Sequence, residues 1–121
     1  MIEKHAFKYT AWNKVEREYM SETIDREMIT GDKLMLARVF IKKGGHVPKH
    51  QHHNEQVTYI IEGALKFAID GTELVVKAGE VLCIPSNMPH EAWAMEDTLD
   101  LDVFTPPRED WLNKTDDYLR R

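Results

Sequence analysis

From Leu34 onward the chain is a succession of short segments that suit β-strands. Each contains four to nine residues rich in β-branched, aromatic and leucine side chains, and Gly, Pro, Asn or Asp separates one from the next. The segments are LMLARVFIK, VTYII, ALKFAI, ELVV, VLCI, EAWAM and LDLDVF. Asp70-Gly71 lies between two of them and predicts a tight hairpin. This regular spacing favours an all-β domain, either an antiparallel sandwich or a barrel.

The two ends of the chain follow different patterns. Residues 1–33 are charged and irregular, and EREYMSETIDREMI within them suits either a short helix or an extra edge strand. Residues 106–121 begin with two prolines, and acidic residues then precede terminal arginines, a polarity that suits a helix dipole. We therefore predict an N-terminal arm (1–33), a barrel (34–105) and a C-terminal helical extension (106–121). The side chains expected to dock this extension on the barrel are Trp111, Leu112, Tyr118 and Leu119.

Composition narrows the classes of function. The 121 residues include 16 Lys and Arg against 21 Asp and Glu, and no basic stretch is present, so we expect no nucleic-acid partner. No apolar segment is long enough to span a membrane and the first residues lack the apolar core of a signal peptide, so we expect no membrane partner and a cytoplasmic protein. The single cysteine, Cys83, lies in the apolar stretch VLCIP, and we expect an inert, buried thiol.

Four potential metal ligands occur in two distant segments. His50 and His52 belong to the stretch HQHHNEQ, and residues two apart on an extended strand project from the same face. These two imidazoles can therefore bind one ion together. Gln56, in the same stretch, and His90, in IPSNMPHEAW, could complete the set. We expect the other three histidines to face the solvent: His5, His46 and His53.

The segments around these ligands resemble the two motifs of the cupin superfamily. Residues 44–63 contain a glycine, five residues, His-x-His, three residues, Gln56 in place of the motif's acid, six residues and a glycine. In residues 79–94, Gly79, Pro85 and His90 match the second motif, while Asn87 replaces its inner glycine and Ala94 its final asparagine. Asn87 can still adopt the left-handed conformation that a turn needs. The predicted fold is thus an all-β double-stranded β-helix, an RmlC-like jelly-roll barrel, with a short C-terminal helix.

A narrower resemblance is to the KdgF family, cupins of pectin and alginate breakdown. It rests on the stretches HHNEQVTYIIEGALKFAIDG, IPSNMPHEA and DVFTPPREDWL. That family converts 4,5-unsaturated uronate monomers into linear keto sugars. The resemblance implies that one metal ion is held by His50, His52, Gln56 and His90, and that Asp102, Phe104 and Arg108 line the site.

In the segment LDLDVF the residue pattern and the resemblance disagree. Alternation places Leu99, Leu101 and Val103 on one face of a strand and Asp100, Asp102 and Phe104 on the other. The pattern alone favours leucine inside and aspartate outside. The resemblance instead implies that the even-numbered face looks into the barrel.

The expected ligands have chemical consequences. Three neutral imidazoles and a neutral amide oxygen leave the charge of a divalent ion uncompensated, so the site should attract a small anion, such as a sugar acid, and act as a strong Lewis acid. Four protein ligands on an ion that prefers six leave about two positions for substrate or water. The lack of a carboxylate ligand argues against the two-His-one-carboxylate iron oxygenases. It does not distinguish among divalent Mn, Fe, Co, Ni and Zn.

We therefore expect an enzyme that opens the ring of 4,5-unsaturated uronates by metal-assisted proton transfer. Asp102 would move the proton, Arg108 would pair with a substrate carboxylate through two hydrogen bonds in a two-pronged fashion, and Phe104 would form an apolar wall. One alternative is another metal-dependent cupin enzyme, a dioxygenase or a lyase. Another is a non-catalytic, metal-containing module that binds a sugar or a small acid. We also expect a homodimer, with outward-facing side chains that could pack between subunits: Trp93, Met95, Leu101 and Val103.

Overall fold

The computed structural model describes residues 6–120, and strands dominate them. The strands are β1 (Glu18–Tyr19), β2 (Ile24–Thr30), β3 (Met35–Ile41), β4 (His46–His50), β5 (Glu55–Glu62), β6 (Ala64–Ile69), β7 (Thr72–Lys77), β8 (Val81–Ile84), β9 (His90–Ala94) and β10 (Thr98–Thr105). Helix α1 (Glu109–Leu112) follows, and 3₁₀ turns occur at Trp12–Lys14 and Asp117–Leu119. Within this described range, no helix has the length and apolar character required to cross a membrane.

The strands form two antiparallel sheets. One has six strands in the order β1-β2-β3-β10-β5-β8, and the other has four in the order β4-β9-β6-β7. Strands distant in sequence are neighbours in both sheets, as in β3 beside β10 and β4 beside β9. Each of the seven segments predicted from the sequence forms a strand. The prediction of an all-β jelly-roll barrel with one short C-terminal helix is confirmed.

Two predicted turns have the expected backbone. Asp70 and Gly71 have φ angles of 50° and 70°, and Ile69 pairs with Thr72 across the hairpin that joins β6 to β7. Positive φ at both central residues is typical of the two-residue hairpin turns that match strand twist. Asn87 has a φ of 63°, so asparagine does provide a left-handed position before β9.

The core lies between the sheets and is built from alternate residues of each strand. Along β3, Met35, Ala37, Val39 and Ile41 are buried, and the residues between them are half-buried. Ile60 of β5, Leu65 and Phe67 of β6 and Ile84 of β8 meet them in one hydrophobic cluster. Each large apolar side chain enclosed in this way contributes about 1.5–3 kcal/mol to folding.

The even-numbered residues of strand β10 point into the barrel. Asp100, Asp102 and Phe104 are buried, whereas Leu101 and Val103 are half-buried on the outer face, so the expectation drawn from pattern alone is wrong. The register explains the orientation: Asp102 lies opposite Thr58 of β5, whose buried face points into the barrel. Alternation determines which residues share a face, but the neighbouring strands determine where that face looks.

The expectation of a buried thiol at Cys83 is also wrong, because this side chain is exposed. Strand β8 lies at the edge of the six-stranded sheet, and it buries Ile84 opposite Gln56 of β5. The alternation of β8 then sends Cys83 to the outer face, beside Val57.

The undecided N-terminal segment forms strands rather than a helix. Strand β1 is the two-residue edge of the six-stranded sheet, and β2 pairs with β3 along its whole length. Both precede position 34 and belong to the same sheet as β10. The division of the chain at 33/34 and 105/106 stays a prediction, and His5 lies outside the described residues.

The C-terminal extension is less helical than the sequence pattern indicated. Helix α1 ends at Leu112, and Lys114, with a φ of 59°, adopts the left-handed conformation that ends helices. Trp111 and Leu119 are buried as expected, but Leu112 is 44% exposed, so its predicted docking contact is wrong. The segment is held by particular contacts rather than by one continuous apolar helix face.

Candidate metal centre

Neighbouring strands bring the two ligand-bearing segments together. Strand β4 ends at His50, which lies directly opposite His90 of β9. His52 is in the loop after β4, so the prediction that it lies on an extended strand with His50 is wrong. The backbone N–H of Asn87 donates to the carbonyl of His52 at 2.7 Å. The loop that carries His52 is thereby joined to the loop that leads into β9.

The three imidazoles share one hydrogen-bonding arrangement. Each Nδ1 lies near a backbone carbonyl two residues away: His50 to Pro48 at 2.8 Å, His52 to Asn54 at 3.0 Å and His90 to Met88 at 2.8 Å. A carbonyl oxygen can only accept, so each Nδ1 must carry the proton. In a neutral imidazole this leaves Nε2 with a free lone pair, the form in which histidine binds metals.

The candidate ligand atoms of these histidines converge. They lie within 4.8 Å of one another, close enough for one metal ion to contact all three. The Nε2 atom of His90 is buried and has no hydrogen-bond partner among the described residues. A buried, unpaired acceptor is costly unless something occupies the space in front of it. These side chains could hold a metal ion.

Gln56 gives the sharpest test of that fit. Its Nε2 donates to the hydroxyl of Thr58 at 2.8 Å, which fixes the orientation of the amide. Its Oε1 then lies 3.2 Å from Nε2 of His52, so one acceptor faces another. Two ligand atoms about 2.1 Å from a shared ion and at right angles to each other are about 3.0 Å apart. The donor set therefore fits a divalent cation between the amide oxygen and the imidazoles.

The surroundings keep the histidines neutral. Burial, with the charge of neighbouring His90 adding to it, lowers the pKa of His50 to about 3. Burial followed by the positive charge of Arg108 lowers the pKa of His52 to about 4. Burial also lowers the pKa of His90. All three imidazoles are thus unprotonated near neutral pH, as metal binding requires.

A hydrogen-bonded chain connects Gln56 to two buried carboxyl groups. Thr58, which receives a bond from Gln56, donates to Oδ1 of Asp102 at 2.7 Å. Asp102 in turn shares a hydrogen bond with Asp100. Burial raises the pKa of Asp102, and burial together with the charge of Asp102 raises the pKa of Asp100 well above its usual range. Two enclosed carboxyl groups in contact hold a proton far more readily than exposed ones.

Aromatic rings and a buried arginine form another part of the wall. The ring of Phe104 meets that of His52 edge-on at 5.8 Å and that of Trp111 at 4.9 Å. Arg108 is 1% exposed, and Asp110 accepts from its Nε at 2.9 Å and from its Nη2 at 2.7 Å. The guanidinium is therefore already held by one carboxylate. Of the three nitrogen atoms of this guanidinium, only Nη1 has no hydrogen-bond partner among residues 6–120.

One cavity of about 50 Å³ gathers most of the predicted site residues. Six of the seven line it: His50, Gln56, His90, Asp102, Phe104 and Arg108. His52, the seventh, contacts two of the lining residues, Gln56 and Phe104. His46 and His53 are exposed, as expected, and His46 bonds Glu91 at 2.6 Å.

Three side chains of the site were not among the predicted site residues. Thr58 could have been recognised, because it lies two residues after Gln56 on the same strand face. Asp100 could have been recognised only once the orientation of β10 was known. Tyr118 was expected to dock the extension, yet its ring stacks on that of His50 at 4.3 Å. No sequence signal connects two residues so far apart.

Comparison with known proteins agrees with this architecture. The family model described as "Cupin domain" matches residues 37–105. The pectin degradation protein KdgF of Dickeya dadantii is 30% identical, and the match covers 78% of this chain and 89% of that protein.

Two solved structures are similar over nearly their whole length. KdgF from a Halomonas species is 25% identical with a TM-score of 0.81, covering 88% of this chain and 99% of that one. An RmlC-like cupin from Shewanella frigidimarina is 28% identical with a TM-score of 0.78, covering 89% and 96%. The matched residues include both ligand-bearing segments, and the chain therefore belongs to the cupin domain family as a KdgF-like cupin.

Proposed function

We propose that this chain is a metal-dependent enzyme that opens the ring of 4,5-unsaturated uronates to give linear keto sugars. The observation that carries the proposal is the cavity whose walls combine neutral candidate metal ligands with a buried carboxyl group, an aromatic ring and an arginine. The similarity of this chain to proteins named KdgF, one of them a pectin degradation protein, supports a small sugar acid as the substrate class.

The proposed reaction is an isomerisation in which no atom is gained or lost. The bond between the ring oxygen and C1 breaks, and the C1 hydroxyl gives up its proton to become an aldehyde. The enol left at C5 becomes a ketone as C4 takes up a proton. A divalent ion held by the three histidines and Gln56 would supply Lewis acidity, polarising oxygen atoms of the sugar acid.

Asp102 is the group we assign to proton transfer. It is 4% exposed and lines the cavity beside the candidate ligands. Burial raises the pKa of its carboxyl, so it holds a proton more readily than an exposed aspartate and can deliver one to C4. Thr58 donates to its Oδ1, which orients the carboxyl.

Arg108 and Phe104 are assigned to holding the sugar. Asp110 occupies Nε and Nη2 of Arg108, so the side chain has Nη1 left to offer an anionic ligand. Its role is then one hydrogen bond and a positive charge rather than the two-pronged pairing expected from the sequence. Phe104, 1% exposed, supplies the apolar wall against the ring.

The test is whether the metal-loaded protein consumes 4,5-unsaturated galacturonate. Consumption is monitored as the loss of the substrate's ultraviolet absorbance. We expect turnover by the wild type and a fall in kcat of about a hundredfold or more for Asp102→Asn. Asp32→Asn, at an exposed position, is the matched control and should behave as wild type. Full activity of Asp102→Asn would remove Asp102 from the mechanism.

Phe104→Leu checks the assignment of the apolar wall, and we expect a higher KM with a smaller change in kcat. Failure of the wild type to consume the substrate with any of Mn, Fe, Co, Ni or Zn would overturn the proposed function. Oxygen uptake with another substrate would then indicate a dioxygenase, since ring opening consumes none. Binding of a sugar acid without turnover would indicate a binding module.

A further inference from the structure

The segment after β10 is fastened to the barrel by buried charges. Asp116, 2% exposed, accepts from Nη1 of Arg26 in β2 at 2.6 Å, and that arginine is fully buried. Lys114 adds an exposed ion pair with Glu18 of β1 at 3.1 Å. These contacts fix the 3₁₀ turn Asp117–Leu119 against the barrel. Leu119, 4% exposed, lines the cavity of the site.

The fixed turn places Tyr118 against a candidate metal ligand. Its ring lies 4.3 Å from that of His50 with 21° between the planes, a stacked arrangement. The imidazole of His50 is also held by the hydrogen bond between its Nδ1 and the carbonyl of Pro48. Tyr118 thus restricts the plane of the imidazole while the backbone restricts its rotation.

The hydroxyl of Tyr118 is an acceptor for two groups. Arg108 donates through Nη2 at 2.7 Å and Trp111 through Nε1 at 3.2 Å. Arginine and tryptophan side chains can only donate, so both bonds use the lone pairs of the phenol oxygen. The phenol proton has no acceptor among residues 6–120 and is available for a ligand.

Tyr118 also lies between the site and an outer groove. The cavity of about 50 Å³ has room for a few water molecules, whereas the adjoining groove measures about 460 Å³. Tyr118 and Leu119 line both spaces. Its hydroxyl contacts Arg108 and Trp111, which line the cavity and not the groove, so the hydroxyl lies on the cavity side of the residue.

We propose that Tyr118 is a substrate-positioning residue of this site, which donates a hydrogen bond to an oxygen of a sugar acid while its own oxygen holds Arg108 in place. The identity of the sugar acid rests on the proposed function. The geometric basis is the stacked ring, the two accepted hydrogen bonds and the place between cavity and groove. This residue belongs to a segment outside both ligand-bearing motifs.

The test compares Tyr118→Phe with Tyr59→Phe, a matched removal of one hydroxyl from a side chain that is 40% exposed on the outer face of β5. The phenylalanine keeps the ring stacked on His50. For Tyr118→Phe we expect KM for 4,5-unsaturated galacturonate to rise about tenfold, the loss of roughly one hydrogen bond, with kcat within about twofold. Metal content should match that of Tyr59→Phe, whereas the thermal midpoint should be a few degrees lower, because Arg108 and Trp111 lose an acceptor.

A second measurement does not depend on turnover. Calorimetric titration of the metal-loaded protein with galacturonate should show about tenfold weaker binding to Tyr118→Phe than to Tyr59→Phe. If galacturonate binds in this Tyr118-dependent way but the unsaturated sugar is not consumed, the proposed function fails and the positioning role stands. Equal KM and equal galacturonate affinity in both variants would overturn it. The positioning role would also be overturned if Tyr118→Phe lost metal or stability with no change in KM or in galacturonate affinity. It would be overturned as well if the wild type did not bind galacturonate.

Discussion

Nη1 of Arg26 and Oδ2 of Asp116 lie 2.6 Å apart with both side chains enclosed, one on β2 and the other near the end of the chain. Nε of Arg26 donates at 3.1 Å to Glu18, and its guanidinium stacks 4.3 Å from the ring of Trp111. Removing one partner of a buried ion pair is costly, because the group that remains is enclosed away from water. This pair connects the N-terminal strands to the segment that carries Tyr118.

Arg26→Met should destabilise the protein by about 3 kcal/mol, because it leaves the buried Asp116 with only its longer, 3.4 Å contact to Arg120. The double variant Arg26→Met with Asp116→Leu should recover much of the loss. The matched control is Arg17→Met, which breaks a partly exposed pair with Asp25 and should cost about 1 kcal/mol or less. Urea unfolding of the wild type, these three variants and Asp116→Leu alone measures these differences, and additive effects of the two buried changes would contradict a direct coupling.

Metal binding should depend on His90 and not on exposed histidines. We expect the wild type to bind one Zn²⁺ per chain and to gain about 2.7 kcal/mol of stability when the free ion is at a hundred times Kd. His90→Ala removes a buried ligand atom and should lose this gain, whereas His53→Ala should keep it. Thermal unfolding with and without Zn²⁺ makes the comparison. An equal shift in both variants would place the ion elsewhere.

The metal-free protein should lose stability on acidification from about pH 6.5 toward pH 4. The pKa of His50 is lowered to about 3 and that of His52 to about 4, so only the unfolded chain takes up protons on these groups in that window. More protons on the unfolded state mean that stability falls as pH falls. Each histidine contributes at most about 1.4 kcal/mol per pH unit.

The check on this pH dependence is urea unfolding of wild type and His50→Gln over the same range. The glutamine cannot take up the proton, so the slope of unfolding free energy against pH should be smaller in the variant. Parallel slopes would show that the imidazole at position 50 is protonated in the folded state as well.

Asp100 should make the stability of the protein depend on pH in the opposite direction from the histidines, so that its contribution falls as the pH rises. Burial and the neighbouring Asp102 raise its pKa well above the usual range, so the folded state holds a proton that the unfolded state releases. Its contribution to stability is complete below the unfolded value of 3.8 and is lost as pH rises through the folded pKa. Asp100→Asn imitates the protonated acid and should exceed wild type at pH 8 by a few degrees in thermal midpoint.

Asp32→Asn is the control for this variant, since Asp32 is exposed. Between pH 6 and pH 8 the thermal midpoint of Asp100→Asn should fall less than that of either the wild type or the control. An identical fall in all three proteins would mean that Asp100 is ionised in the folded state, with its buried and unpaired Oδ1 satisfied in some other way.

Local sequence patterns determined the strands, the turns and the clustering of the ligands. Alternation and turn residues such as Asp70-Gly71 act over a few positions, so short segments suffice to predict them. The intervals that join His50, His52, Gln56 and His90 predicted one cluster, and the structure brings all four together, although His52 lies in a loop rather than on a strand.

Only the tertiary structure decided which face of each strand points into the barrel and which residues outside the two motifs contact the candidate metal site. Asp102 points inward and Cys83 outward because of their registers with β5, which no residue within either segment specifies. Tyr118 meets His50 because the buried Asp116 is paired with Arg26, a contact between residues 90 positions apart. Hydrophobic and turn patterns are local and can be read along the chain. Pairing between distant polar groups depends on the assembled barrel and exists only in three dimensions.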